Sequence, residues 1–261
     1  MQTHWNPASY LAFDDHRTRP AIDLLSRINF SAPRSVIDLG CGPGNSTRLL
    51  RDRWPDADVT GVDSSVEMLE QARRSEVSGT RRITWEQRPI ERWAPATPPD
   101  VIFSNAALHW VDDHERRFPQ LVGLLAQGGV LAVQMPHRDG RQAFARALQD
   151  IALEGPWRDR FRDFTSRPSA TPGEYHDWLA PHVDAIDIWT TEYLHVLTGE
   201  DPVWRWTSTT AQRPYVERLD LGERDAFGDA YRHRLRECYP RRDDGTTLLP
   251  FLRLFIVARR K

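Results

Sequence analysis

The sequence predicts an α/β fold: a doubly wound, mostly parallel sheet of seven strands, with a helical insertion toward the C-terminal half. Three observations predict it. Short apolar runs alternate with helix-like stretches over residues 1–136, the pattern of parallel strands joined by crossover helices. Those runs are short and apolar throughout, which suits a sheet covered on both faces. After a less apolar stretch the chain ends on "LLPFLRLFIVARRK", a strand that packs back onto the first sheet and makes one interrupted domain rather than two.

Each element has its own signal. "PAIDLLSRI" (20–28) reads as the end of a helix carrying Ile22, Leu25 and Ile28 inward, and "SVIDLG" as the first buried strand. "NSTRLLRDRW" is a helix stopped by Pro55, since proline cannot continue the hydrogen-bond ladder. "DVTGVD" is the second strand and "SSVEMLEQARR" the second crossover helix. Ser64 and Glu67 have capping-box spacing, which starts that helix just after Asp63. "RITWEQ", "DVIFSN" and "GGVLAVQMP" are strands three to five, with an amphipathic helix over 113–126 before the fifth. Beyond Met135 the reading is a helix at 141–153, a Pro-, Arg- and aromatic-rich connection at 155–173, a long strand "VDAIDIWTTEYLHVL" and helices over 201–239. The organisation expected is a core at 1–136, a helical capping region with a late strand at 137–250, and a final strand at 251–261 that returns to the core.

Composition limits the function. A chain of 261 residues buries an ample core. Its formal net charge of −2, with acids and bases mixed, argues against a general nucleic-acid binder. Lys261 is the only lysine, a bias of composition, and doublets such as Arg73-Arg74 and Arg81-Arg82 read as solvated surface. Cys41 and Cys238 provide no disulfide framework and no paired-cysteine metal spacing, so no metal is expected. The N-terminal stretch has neither a basic start nor a long apolar run, and no segment reaches the length of a membrane span. A soluble, cytoplasmic monomer that engages neither nucleic acid nor membrane is expected.

"VIDLGCGPGNST" (36–47) carries the chemistry. A dinucleotide fingerprint needs G-x-G-x-x-G; here Gly40, Gly42 and Gly44 alternate, so the third comes one residue early. A phosphate-binding Walker loop needs a Gly-Lys-Ser/Thr ending, which is absent. Asp38, at the end of strand one, would repel a pyrophosphate and attract a cationic amine. Asp63, at the end of strand two, can accept both hydroxyls of a ribose. The helix start at Asn45–Thr47 offers free backbone amides to a carboxylate. Amine, carboxylate and ribose together describe S-adenosylmethionine.

With "VTGVDSS", "VIFSNAALHW" and "GGVLAVQMP", the corner resembles the successive signatures of the class I S-adenosylmethionine-dependent methyltransferases, which implies a Rossmann-like sheet. "WNPASYLAFDDHRTRPAIDLLSR", "TSTTAQRPYV" and "RLFIVARR" are similar to the trans-aconitate 2-methyltransferase family, whose members esterify one carboxylate of a small tricarboxylic acid. That likeness spans essentially the whole chain.

The resemblance implies a cofactor site of Asp38, Gly40, Gly42, Asn45, Asp63, Ser64, Met68 and Asn105. Gly40 and Gly42 would let the methionine portion lie on bare backbone. Met68 would press on the adenine or simply fill the core. Arg17 matches a position that meets the cofactor's carboxylate, a task Arg19 could share. Tyr10 would close the site from the substrate side or pack as an ordinary tyrosine. For the acid, the resemblance implies Arg213, set among Trp206, Pro214 and Tyr215; arginine is always charged and grips a carboxylate with two parallel hydrogen bonds. His109 and Trp110 would face the transfer point, with His109 donating a hydrogen bond to the acceptor, acting as a base in a different reaction, or packing under a lid.

Three departures from the family stand out. The acid that binds the adenine amine after strand three is missing, with Arg88 or Pro89 near its place and Gln87 or backbone left to serve. "MPHRDG" replaces "MPDN", adding His137 and Arg138 as further cations, and Ala211-Gln212 replace Gly-Leu before the Arg-Pro. The implied reaction is a direct displacement on a small polycarboxylic acid that needs no general base, because a carboxylate with a pKa of about 4 is already ionised. Alternatives are another small acid, the malonyl group of a carrier protein, and a non-catalytic S-adenosylmethionine-binding protein. Methylation of a nucleobase amine would call for Asn/Asp-Pro-Pro-Tyr/Phe where this chain has "SNAALHW".

Overall fold

The computed structural model describes residues 14–75, 82–164, 169–208 and 211–261, with side chains described from residue 18 onward. The described residues fall into two compact units: one of those within 14–136, 170–191 and 253–261, the other of those within 137–169 and 192–252.

The first unit holds strands one to five of the sheet and the adjoining parts of its last two strands. Helix α1 (Asp14–Ser26) precedes β1 (Ser35–Leu39), α2 (Asn45–Arg53), β2 (Asp58–Asp63), α3 (Val66–Arg74), β3 (Thr84–Gln87) and β4 (Val101–Asn105). Helix α4 (His114–Leu124) and β5 (Val130–Pro136) follow. Strand order is β3-β2-β1-β4-β5-β7-β6, where β6 is Val183–Leu197 and β7 is Thr247–Arg260. The first five pair in parallel, with Ile37 opposite Ile102 and Val36 opposite Val59, and β7 runs antiparallel to β5. This is the seven-stranded, mostly parallel sheet expected. Order reverses between β1 and β4, and ligands of open α/β sheets bind beyond the strand ends at such a reversal.

Inward residues of β1, β4 and β5 are almost wholly buried. Each large apolar side chain so buried contributes about 1.5–3 kcal/mol. Among the described side chains of α1 the buried ones are Pro20, Ala21, Leu24 and Leu25, with Ile28 just past its end, whereas Ile22 is 48% exposed. The inward stripe therefore runs 21, 24, 25, 28, the helical spacing, and the expectation for Ile22 is corrected. The α3 cap is Ser65, whose hydroxyl accepts from Met68 N at 3.1 Å. The box expected from Ser64 and Glu67 does not form: Asp63 Oδ1 takes the Ser65 amide (2.9 Å), and Ser65 is a single cap whose third residue on, Met68, has no group to complete a box.

Between the connection read at 155–173 and the long strand lies α6 (Pro172–Leu179), a helix the sequence reading leaves unassigned, opened by a Thr171–Glu174 capping box. Its Tyr175 and Leu179 are fully buried in the core that contains Phe118. Residues 170–191 thus pack with the sheet, although the sequence reading grouped them with the capping region.

In the second unit, α5 (Ala143–Glu154) packs on α9 (Leu221–Cys238), with α7 (Pro202–Ser208) and α8 (Arg213–Val216) between them in sequence. Tyr231 Oη donates to Phe144 O (3.2 Å), and Phe144 N donates to Tyr239 Oη (3.0 Å). Phe161, Tyr215 and Phe227 form the ring cluster beside them.

Candidate active site

Beyond β1 the backbone turns left-handed at every second residue: φ is 79° at Gly40, 53° at Gly42 and 85° at Gly44. A side chain in that region costs roughly 1–2 kcal/mol, which explains the alternating glycines. The amides of Gly40 and Cys41 both donate to Val62 O, at 2.8 and 2.9 Å, tying the corner to β2. Surroundings separate the three glycines. A Cβ on Gly40 would stand 2.2 Å from the Ala107 Cβ, and one on Gly44 2.6 Å from the Trp85 ring. One on Gly42 would meet nothing within 4 Å among the described residues. Gly40 is therefore bare to admit Ala107. Of the three, only Gly42 has no described residue where its Cβ would stand.

Asp38 has no exposed surface. Its Oδ2 accepts from Ser46 Oγ (2.7 Å) and Thr47 Oγ1 (2.6 Å), while Oδ1 is buried with no hydrogen-bond partner among the described residues. One oxygen of this carboxylate is thus spent on holding the first turn of α2. Burial pushes its pKa up to about 6. Asp63 accepts from Gly42 N through Oδ2 (2.8 Å) and from Ser65 N through Oδ1. Burial raises its pKa too, against the pull of those amides. A cation brought near would relieve both acids. Burial and the two acids push the Cys41 thiol well above its ordinary value, so it stays neutral.

Asn45 opens α2, and its Oδ1 accepts from Arg48 Nη2 at 2.6 Å. Met68 is buried on α3; Ser64 is exposed. Near the missing adenine acid, Arg88 pairs with Glu86 (2.7 Å), and Pro89 caps a short turn at Ile90–Arg92. Gln87 Nε2 points to Ser64 O at 3.5 Å. Asn105 ends β4 half-buried, and Ala106 beyond it has φ 55°. The following turn, Leu108–Trp110, carries His109 and Trp110 with ring centroids 4.6 Å apart, and Trp110 is 45% exposed. Tyr10 lies outside the described residues. Arg17 lies on α1, and its side chain is outside them.

In the second unit, Arg213 opens α8 and its Nε pairs with Glu217 at 2.8 Å. Trp206 and Tyr215 are buried, Trp206 against His195 and Phe251, and Tyr215 against Phe161 and Phe164. Both rings are packing partners in that unit. His137 is buried and its pKa falls below the usual value because burial disfavours the charge. It is neutral at pH 7, a correction to its reading as a cation. Arg138 keeps its charge despite a burial-driven decrease.

Sequence reasoning missed two supports. Ser46 and Thr47 were read only as a helix start, yet their hydroxyls bind Asp38. His114 Nε2 donates to Leu108 O (2.9 Å) while its Nδ1 meets Tyr175 Oη (2.5 Å), so the turn bearing His109 is braced by α4 and α6. The Thr171-to-Glu174 spacing was the available signal for α6.

The family model for a methyltransferase domain matches residues 13–187. Among curated proteins, trans-aconitate 2-methyltransferase of Methylobacterium radiotolerans is 42% identical over 264 aligned residues, and that of Paracidovorax citrulli 44% over 261; each match covers 98% of both chains. The chain belongs to the trans-aconitate 2-methyltransferase family. Membership makes it a methyltransferase.

Solved structures agree on the fold of this family member. The YcgJ protein of Bacillus subtilis superposes with a TM-score of 0.59 at 16% identity, covering 95% of this chain and 99% of that one. Phosphoethanolamine N-methyltransferase 2 of Haemonchus contortus, solved with phosphomonomethylethanolamine and S-adenosylhomocysteine, gives 0.54 at 15% identity, covering 93% and 53%.

Proposed function

We propose that the chain transfers a methyl group from S-adenosylmethionine to one carboxylate of a small polycarboxylic acid, trans-aconitate, giving a monomethyl ester and S-adenosylhomocysteine. The observation that carries the acid is end-to-end identity above 40% with proteins named for it. The corner fits the donor. Asp63 has lone pairs beyond those used by Gly42 and Ser65 for a ribose diol. No described residue stands where a Gly42 side chain would be, and the first turn of α2 offers backbone amides to the amino-acid carboxylate. Gly40 and Asp38 shape this corner from beneath; Asn45, Ser64, Met68, Asn105 and Arg17 complete the proposed donor set.

S-adenosylmethionine supplies an electrophilic methyl on a sulfonium. The protein's residues position and dry the acceptor oxygen, which is ionised at neutral pH without a base. In-line alignment supplies roughly 7–11 kcal/mol in favourable systems. Arg213 is assigned to a carboxylate of the acid, with Trp206 and Tyr215 packing behind its helix, and His109, Trp110 and Tyr10 to the acceptor. The same reading makes 1–136 the donor-binding core of a cytoplasmic monomer. Among the described residues no helix is long and apolar enough to cross a membrane.

The test is incubation of the protein and S-adenosylmethionine with trans-aconitate, cis-aconitate, isocitrate and citrate, followed by mass spectrometry. A monomethyl ester from trans-aconitate is expected; no ester from any of the four overturns the acid assignment.

A further inference from the structure

Toward the C-terminal ends of β4 and β5, and midway along β7, three side chains fix one another's orientation. Gln134 is fully buried and Arg253 is 3% exposed. One end of the Gln134 amide lies 2.9 Å from Arg253 Nη1 and 3.1 Å from the Met135 backbone nitrogen. Both neighbours can only donate, so that end is the carbonyl oxygen and the other is the NH2 group. The NH2 group stands 2.7 Å from the side chain of Asn105. The facing atom of Asn105 must therefore accept, which makes it Oδ1 and turns the Asn105 NH2 group away from Gln134. That NH2 group has no hydrogen-bond partner among the described residues. The backbone is held to the same residue, because Ala106 N donates to Gln134 O at 2.7 Å.

We propose that Arg253 and Gln134 are positioning residues that set the polarity of Asn105, so that it presents an N–H donor and selects a carboxylate oxygen as its ligand. This rests on the reading that Asn105 belongs to the donor and acid site. A carboxylate occurs both at the amino-acid end of the donor and on the acid. An ammonium group, which can only donate, is disfavoured at this position.

Gln134→Glu tests the polarity. The new carboxylate still accepts from Arg253 and Met135 but has no hydrogen for Asn105, whose amide turns over and shows its oxygen. Calorimetry with S-adenosylhomocysteine, with 5′-methylthioadenosine, and with trans-aconitate in the presence of S-adenosylhomocysteine reads the consequence. A loss of tenfold or more is expected for S-adenosylhomocysteine or trans-aconitate, with 5′-methylthioadenosine, which has no carboxylate, within twofold. Loss of the first alone assigns the contact to the donor; loss of the second alone assigns it to the acid. Unchanged affinity for both, or an equal loss for 5′-methylthioadenosine, overturns the proposal. Asn105→Asp, at a half-buried position, also offers only acceptors and must lose the same ligand; if Gln134→Glu does not fold, this variant decides. A wild-type protein that binds neither S-adenosylhomocysteine nor trans-aconitate overturns the functional reading itself.

Discussion

Asp63 Oδ2 accepts the Gly42 amide hydrogen at 2.8 Å, so the acid that ends β2 and the open glycine of the corner act as one piece. The same carboxylate holds Ser65 and thereby the start of α3. Removing it strands two backbone donors, each worth about 1–3 kcal/mol when left unsatisfied. Asp63→Ala should lower the melting temperature and weaken S-adenosylhomocysteine at least tenfold by calorimetry. Retained affinity would place the ribose elsewhere.

The Asp38 carboxyl, pushed up to about 6 from 3.8, binds its proton more tightly in the native than in the unfolded chain. Its contribution to stability is full below pH ~4 and is lost as pH rises through about 6. Over that window the change is about 3 kcal/mol, at about 1.4 kcal/mol per pH unit. Asp38→Asn removes the titration, so the stability of the ligand-free variant relative to wild type should increase between pH 5 and pH 8. Thermal unfolding across that range checks it; a difference independent of pH refutes the assignment.

Gly40 and Gly42 should respond in opposite ways to alanine. Gly40→Ala drives a Cβ into Ala107, and overpacking of this kind costs about 1–3 kcal/mol on top of the left-handed strain. Gly42→Ala carries the strain alone, but its methyl occupies the open face. Melting temperature should fall more for Gly40→Ala, whereas Gly42→Ala should keep most of its stability and lose S-adenosylhomocysteine binding tenfold or more.

Tyr175→Phe leaves His114 Nδ1 facing a ring edge while Nε2 keeps Leu108 O. A loss of about 1 kcal/mol is expected in denaturant unfolding. The turn at Leu108–Trp110 loosens with it, so the rate of ester formation should fall severalfold with little change in S-adenosylhomocysteine affinity. Equal effects on both would make Tyr175 a packing residue only.

Arg213 is half-exposed, with its Nε on Glu217 at 2.8 Å. Arg213→Ala should weaken trans-aconitate at least tenfold and leave S-adenosylhomocysteine within twofold, measured by paired titrations. Loss of both ligands alike would remove Arg213 from the acid site.

Much of the sheet was legible because its strands are short apolar runs between glycine and proline punctuation, and β6 was bounded to the residue by its alternation. The corner acids were legible for the same reason, since strand ends locate them. What could not be read was which atom fills which gap. Nothing local says that Ala107 needs the space above Gly40, or that Trp85 covers Gly44; those contacts join residues far apart in sequence. Ile22 misled because it stands three residues before Leu25, as Leu25 does before Ile28, whereas the helix turns its 21, 24, 25, 28 stripe to the core. Trp206 and Tyr215 look like ligand aromatics beside Arg213 in the sequence, and only packing shows that their rings belong to the interior of their own unit.

The thiol sealed under the corner gives the molecule a built-in clock. An alkylating reagent can reach Cys41 only in moments when the turn lifts off Val62, so the rate of its modification counts those openings, and anything that fastens the turn lengthens the interval between them. Cys238, exposed at the end of α9, reacts without waiting and supplies the time base in the same tube.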